Sequence, residues 1–241
     1  MTQEQLVFPF PKNEHFTFDN FLAGSNQEPV NYLTALSNGE FSGSQQINLL
    51  VGATGMGKSH LLTATFTESL KHDVSSLYLS MSDALALGPD VLKETGHVTL
   101  LCLDDIEQLA AQREWEIALF DLINRVLEQG HCYLLMSARQ LPKDIGYGLP
   151  DLVSRLQWGQ CMQLKDLSEQ DKVAFLMRKA AERGFDLPKE VARFLLLRLP
   201  RDLRSLQEIL EKLDKLSLQS QRKLTIPFVK EIFDNIPTGS N

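Results

Sequence analysis

Apolar residues keep two rhythms along this chain. Up to Lys165, short apolar runs alternate with amphipathic stretches: "INLLV" at 47–51, "SLYLS" at 76–80, "VTLLCLD" at 98–104, "CYLLMS" at 132–137 and "CMQLK" at 161–165. Runs of this length bounded by turn residues read as buried strands. The stretches between them carry helical spacing, first from Gly57 to Lys71 and most clearly in "EWEIALFDLINRVLEQG". There Trp115, Ala118, Leu119, Leu122, Val126 and Leu127 recur at three and four residues, and Gly130 ends the run. Strand alternating with helix is the rhythm of a parallel sheet covered on both faces, so this part predicts an α/β core with five parallel strands.

After Lys165 the strand rhythm stops. "SEQDKVAFLMRKAAERG", "PKEVARFLLLRL", "RDLRSLQEILEKLDKLSL" and "TIPFVKEIF" all carry helical spacing. Ser168 is placed to cap the first of these, ahead of Glu169 and Asp171. Gly184 ends it, Pro188 opens the next, and Thr225 precedes Pro227 at the last. We therefore divide the chain into a flexible head at 1–14, an α/β core at 15–165 and a small all-helical domain at 166–241.

Composition and charge narrow the classes. The chain has 241 residues and a net charge of -7, with 10 Lys/Arg against 19 Asp/Glu up to residue 165 and 14 against 12 beyond it. Neither part is a polybasic body for nucleic acid. No run of eighteen apolar residues and no export signal is legible, so a membrane protein is excluded and a cytoplasmic one expected. Cys102, Cys132 and Cys161 lack metal-ligand spacing and fall in strand-like runs, which reads as three buried free thiols.

Directly after the first strand stands "GATGMGKS", Gly52 to Ser59, which fits G-x-x-x-x-G-K-[ST] at every fixed position. The glycines let backbone N–H groups turn inward on a phosphate chain, Lys58 reaches the outer phosphates, and Ser59 offers its hydroxyl to Mg²⁺. The residues expected at the nucleotide are Gly52, Thr54, Gly55, Met56, Gly57, Lys58, Ser59 and His60. An acid is then needed at the carboxyl end of another core strand, and "TLLCLDDIEQL" supplies two. Asp104 is expected to hold Mg²⁺ through water, with Ser59 as its partner. Asp105 stands where a water-activating carboxylate is needed, or else caps its loop. It is one methylene shorter than the glutamate many such ATPases use, so weak intrinsic hydrolysis is expected. Glu107 reads as solvated.

These motifs resemble a family when taken together. "FTFDNFLAG" at 16–24, the P-loop, "LDDIEQL", "LLMSARQLP", "LPDLVSRLQWG" and "LRSLQEIL" follow the order found in the DnaA branch of AAA+ ATPases, from Phe16 to about Phe233. The resemblance implies an AAA+ P-loop core followed by a helical lid. It implies that Phe16, Phe18, Asp19 and Phe21 line the base of the nucleotide, and that Ser137 is the sensor 1 residue facing the γ-phosphate. Arg204 is similar to the sensor 2 arginine of the lid, with Arg201 one turn away. Arg155 resembles the arginine finger, a cation presented to the nucleotide of a neighbouring subunit. Trp158 beside it reads as core packing.

DnaA proteins continue past the lid into a helix-turn-helix domain, whereas this sequence stops at Asn241. That pattern resembles the Hda group of DnaA-related regulators, which begin with a clamp-binding peptide similar to Q-L-x-L-P-L. "QLVFPF" differs from it by two aromatic-for-leucine exchanges. Gln5 would place its amide in a polar notch while Leu6, Phe8 and Phe10 fill apolar pockets, and Pro9 stiffens the extended backbone. The residues call for a nucleoside diphosphate whose base is not legible in the sequence; the resemblance implies that it is ADP, held with Mg²⁺, in a protein tethered to the DNA polymerase III sliding clamp (beta subunit). From there it would turn DnaA-ATP into DnaA-ADP through Arg155 and contact DNA only weakly or indirectly. A finger acting in trans also allows self-association. The competing expectations are a DnaC-like helicase loader, disfavoured by the short segment before the core, and a nucleotide kinase, disfavoured by the missing arginine-rich lid.

Overall fold

The computed structural model describes residues 16–41, 45–95, 97–198, 206, 209–215 and 224–234. The chain divides into two compact units at Lys165/Asp166. In the first, strands β1 (Ile47–Val51), β2 (Ser76–Ser80), β3 (Leu100–Asp104), β4 (Tyr133–Ala138) and β5 (Gln160–Gln163) form a sheet in the order β2-β3-β4-β1-β5. Every pairing is parallel. The helices are α1 (Gln27–Ser37), α2 (Lys58–Lys71), the single turn α3 (Met81–Ala84), α4 (Arg113–Gln129) and α5 (Pro150–Trp158). This is the α/β architecture expected.

Side-chain alternation in the strands assigns each helix to a face. Leu49 and Val51 of β1, Leu101 and Leu103 of β3, and Leu134 and Met136 of β4 share one cluster with Trp115, Leu119, Leu122 and Val126 of α4 and with Leu152 and Leu156 of α5. Leu50, Leu100, Cys102 and Leu135 share the other with Leu33 and Leu36 of α1 and Leu61, Leu62 and Phe66 of α2. Most of these side chains lose all contact with water, each worth about 1.5–3 kcal/mol.

Two expectations need correction here. Ile123, not Leu127, completes the buried stripe of α4; Leu127 is exposed, because a step of four from Leu119 reaches Ile123 on the facing side. Cys102 and Cys132 are buried but Cys161 is exposed. It lies on β5, an edge strand paired only with β1, and Met162 rather than Cys161 points inward there. Burial drives the Cys132 thiol up to about 11, so it stays protonated and unreactive.

The second unit contains α6 (Glu169–Glu182), α7 (Lys189–Arg198), helical residues at 209–215 and a last helix, α8 (Ile226–Asp234). Ser168 and Asp171 form a reciprocal capping box at the start of α6, worth about 1 kcal/mol. Gly184 sits at φ +84 just past α6, and the Ala192 N–H donates to the Pro188 carbonyl as α7 begins. Leu176, Val191, Leu195, Leu210 and Val229 form its core.

Candidate functional site

The sheet order places three strand ends side by side, β3, β4 and β1, and the loops leaving them carry the chemistry. Ligands in open parallel sheets bind at the carboxyl ends of strands. Gly52 starts the P-loop by donating its N–H to the Ala138 carbonyl of β4 at 3.1 Å. Gly57, the residue before α2, has φ +89. A Cβ there would stand 2.6 Å from Phe21 Cε2, so a glycine is required by both the backbone and its neighbour. Lys58 is buried, and its ammonium contacts the Ala53 carbonyl at a long 3.4 Å. That leaves donor capacity for phosphate oxygens at the positive end of α2. The residues present fit the phosphate chain of a nucleotide.

The "TFDNF" segment lies against this loop. Phe16 stacks on His60 with ring centres 4.5 Å apart, Phe21 meets His60 edge-on at 5.2 Å, and His60 Nε2 is 2.8 Å from the Thr17 carbonyl. Thr17 and Asn20 exchange side-chain hydrogen bonds with each other's backbone N–H. Phe18 packs on the α1/α2 side of the core, and Asp19 is exposed. The segment is thus held to α2 through His60 and Gly57.

Asp104, nearly buried at the end of β3, accepts two hydrogen bonds. Tyr78 Oη donates to Oδ2 at 2.8 Å, and Ser137 Oγ donates to Oδ1. Ser137 in turn accepts the Asp105 N–H at 2.8 Å. The serine hydroxyl is therefore taken up in bracing the two acids, and a metal would meet Asp104 already engaged at both oxygens. Ser59 and Asp104 supply the oxygen donors that Mg²⁺ prefers. Among the described residues no cluster of three or more His, Cys, Asp or Glu forms a metal site. Burial with the nearby Asp104 charge pushes the Tyr78 hydroxyl far above its usual range, burial being the larger cause.

Asp105 adopts the left-handed conformation, φ 59, which Asp tolerates better than most residues. Burial first and the Asp104 charge second raise its carboxyl above the usual range, against the pull of Lys58 and Arg139. Glu107 is not the solvated bystander expected. Its side chain is only 15% exposed, it lies 2.8 Å from Arg139 Nε, and burial raises its carboxyl. The contact is electrostatic rather than a directed hydrogen bond, since neither Glu107 oxygen has a hydrogen-bond donor among the described residues.

Arg155 lies outside this pocket chemistry, in the last turn of α5. Leu152 and Leu156 take the buried face, and Arg155 with Trp158 falls on the other side. Trp158 is 73% exposed, contrary to the core packing expected, because the α5 face turned to the core was already set by those leucines. The Arg155 guanidinium lies 4.9 Å from the Trp158 ring centre, a cation–π pair worth about 0.5–1 kcal/mol while solvated and ~2 kcal/mol when water is excluded. At the start of α5, buried Glu116 of α4 accepts N–H groups from Gly148 (3.1 Å) and Leu149 (2.9 Å), and also from Ala111 (3.0 Å). At its end, a Cβ on Gly159 would meet the Ile47 carbonyl at 2.6 Å. Both ends of α5 are fixed.

The sequence reading missed Tyr78, Glu116 and Arg139. Tyr78 has its partner 26 residues away, and two of the three groups donating to Glu116 lie 32 and 33 residues away; the third, Ala111, is five residues before it. The proximity of Arg139 to "LMSA" was a usable signal. Gln5, Leu6, Phe8, Phe10, Arg201 and Arg204 lie outside the described residues. Among the described residues no helix is long and apolar enough to cross a membrane.

Comparison with known proteins agrees with this geometry. A family model described as the bacterial DnaA ATPase domain matches residues 12–163, and one described as the lid domain of Hda matches residues 169–233. The chain is similar to AMPPCP-bound DnaA from Aquifex aeolicus at 25% identity and a TM-score of 0.73, over 86% of this chain and 67% of that one. Domain III of the Thermotoga maritima replication initiation protein DnaA shares the fold at 20% identity and a TM-score of 0.74, over 91% of this chain and 95% of that one. The Thermotoga maritima RuvB Holliday junction branch migration motor shares it at 16% and 0.63, over 87% and 69%. With the DnaA model covering most of the core and the Hda model following it in the lid, the chain belongs to the bacterial DnaA ATPase family, as a DnaA-related, Hda-like AAA+ protein.

Proposed function

We propose that the protein is a negative regulator of replication initiation that stimulates ATP hydrolysis by DnaA and contributes Arg155 to that reaction from outside. The observation that carries this reading is a half-exposed arginine on a helix fixed at both ends, in a chain whose core is DnaA-like and whose lid is Hda-like. In the DnaA site, water attacks the γ-phosphorus and the bond to the ADP oxygen breaks. Charge gathers on the transferring oxygens and on the leaving oxygen. A planar guanidinium bridges two such oxygens at once, and removing one typically costs a factor of about 10³–10⁵ in rate.

In the chain's own pocket, Gly52 to His60 would hold the phosphates of a bound ADP, and Phe16, Phe18 and Phe21 would border its base. Ser59 and Asp104 would take Mg²⁺, which when bound neutralises phosphate charge. Asp104 is held by Tyr78 and Ser137, and Asp105 has the shorter carboxylate. This arrangement favours retention of the nucleotide over hydrolysis, so the nucleotide acts as a structural part of the core. The peptide at Gln5, Leu6, Phe8 and Phe10 would dock on the DNA-loaded sliding clamp in the cytoplasm.

The test is a reconstituted assay containing DnaA-ATP, DNA-loaded clamp and this protein. Arg155→Ala and the double variant Gln5→Ala/Leu6→Ala should each lose stimulation, the first with clamp binding intact and the second through loss of that binding. Full stimulation by either variant refutes the role given to it.

A further inference from the structure

We propose that Trp158 is a positioning residue for Arg155: its exposed ring is the shelf on which the guanidinium rests, extended from α5, before a partner arrives. This inference rests on the reading of Arg155 given above. Three observations carry it. Trp158 stands 73% exposed where burial of the α5 leucines has no use for it. The Arg155 guanidinium sits over its face. The helix beneath both is fixed at its start by Glu116 and at its end by the close approach of Gly159 to β1, so the pair inherits a rigid base.

A freely rotating arginine loses much rotamer freedom when it docks on phosphate, and preorganisation lowers that cost. Stacking on the ring holds the guanidinium plane while leaving its N–H edge open, the edge that phosphate oxygens need. Covering the pair with a partner excludes water and strengthens the stacking. The shelf therefore contributes most in the assembled state. It acts on the chemical step more than on association, because the guanidinium charge is needed where charge develops.

Trp158→Leu keeps an apolar side chain and removes the aromatic face; Trp158→Phe keeps a flat ring. In the assay above, Trp158→Leu should lower the kcat of stimulated hydrolysis about tenfold with KM changed less than about twofold, the rate ratio of ~1.4 kcal/mol. Trp158→Phe should recover at least half of the wild-type kcat. In the free protein, the Arg155 Hε proton resonance should lie upfield from the ring current and move back downfield in Trp158→Leu. An unmoved Hε resonance overturns the proposal, as does a loss confined to KM, which would mark Trp158 as an ordinary contact with the partner. Arg155→Ala measured alongside separates the two levels. If it retains stimulation, the reading of Arg155 fails; if it abolishes stimulation while Trp158→Leu keeps the wild-type kcat, only the shelf fails.

Discussion

The two ends of the core's chemistry are built on opposite principles. Around Asp104 the polar groups look inward and satisfy one another: Tyr78 and Ser137 donate to the carboxylate, and Ser137 accepts the Asp105 N–H. On α5 the polar group looks outward, with Arg155 resting on an exposed tryptophan and its helix braced by Glu116 from behind. A satisfied buried network resists change and defines a single geometry. A rigidly mounted, solvent-facing cation is suited to a partner's negative charge. The contrast teaches that rigidity is invested beneath the arginine and around Asp104 alike, but Asp104 is engaged by its neighbours while Arg155 faces outward.

The largest effect should come from the brace of α5. Glu116→Ala leaves the Ala111, Gly148 and Leu149 N–H groups without their acceptor, at about 1–3 kcal/mol for each that stays dry. Calorimetry should show the core melting about 10 °C lower, and stimulation of DnaA should fall while nucleotide binding at folding temperatures persists. If nucleotide binding were lost and stimulation kept, the separation of the two regions would be wrong.

A smaller effect is expected inside the pocket. Tyr78→Phe removes one hydrogen bond to a nearly buried carboxylate, a loss of about 1.5–3 kcal/mol, so the midpoint should drop by roughly 3–10 °C with stimulation by Arg155 unchanged. A fall in stimulation comparable with that of Glu116→Ala would show the two regions to be coupled.

The smallest effect has the opposite sign. The Asp105 carboxyl is raised in the folded state, so its ionised form opposes folding. The penalty is complete above the folded-state pKa and disappears as pH falls below the unfolded value near 3.8. Asp105→Asn keeps a residue that tolerates positive φ and should raise the midpoint by about 1–3 °C at pH 7. The advantage should vanish near pH 3.5. Equal midpoints at neutral pH would remove the electrostatic penalty assigned to the Asp105 carboxylate.

What the sequence made legible follows from the range of each interaction. The strands β1 and β3, the helix α2 with its P-loop, and the capping box at Ser168 were readable because period, glycine placement and caps act within a few residues. Trp158 was misread because an aromatic residue does not announce which helix face it takes; Leu152 and Leu156 decide that through burial. Cys161 was misread because edge position depends on the whole sheet order. Glu116 was passed over, since two of its three donors come from the loop at 148–149, more than thirty residues on, and the partnership of Tyr78 with Asp104 depends on β2 lying beside β3.

The most direct test of the central claim is single-turnover decay of γ-³²P-labelled ATP preloaded on DnaA, so that only the initiator's nucleotide is seen. With DNA-loaded clamp present, the wild-type protein should speed that decay at least about 100-fold over Arg155→Ala, and the protein alone should release almost no phosphate from ATP. Equal decay with both proteins, or rapid hydrolysis by this protein in isolation, would contradict the account.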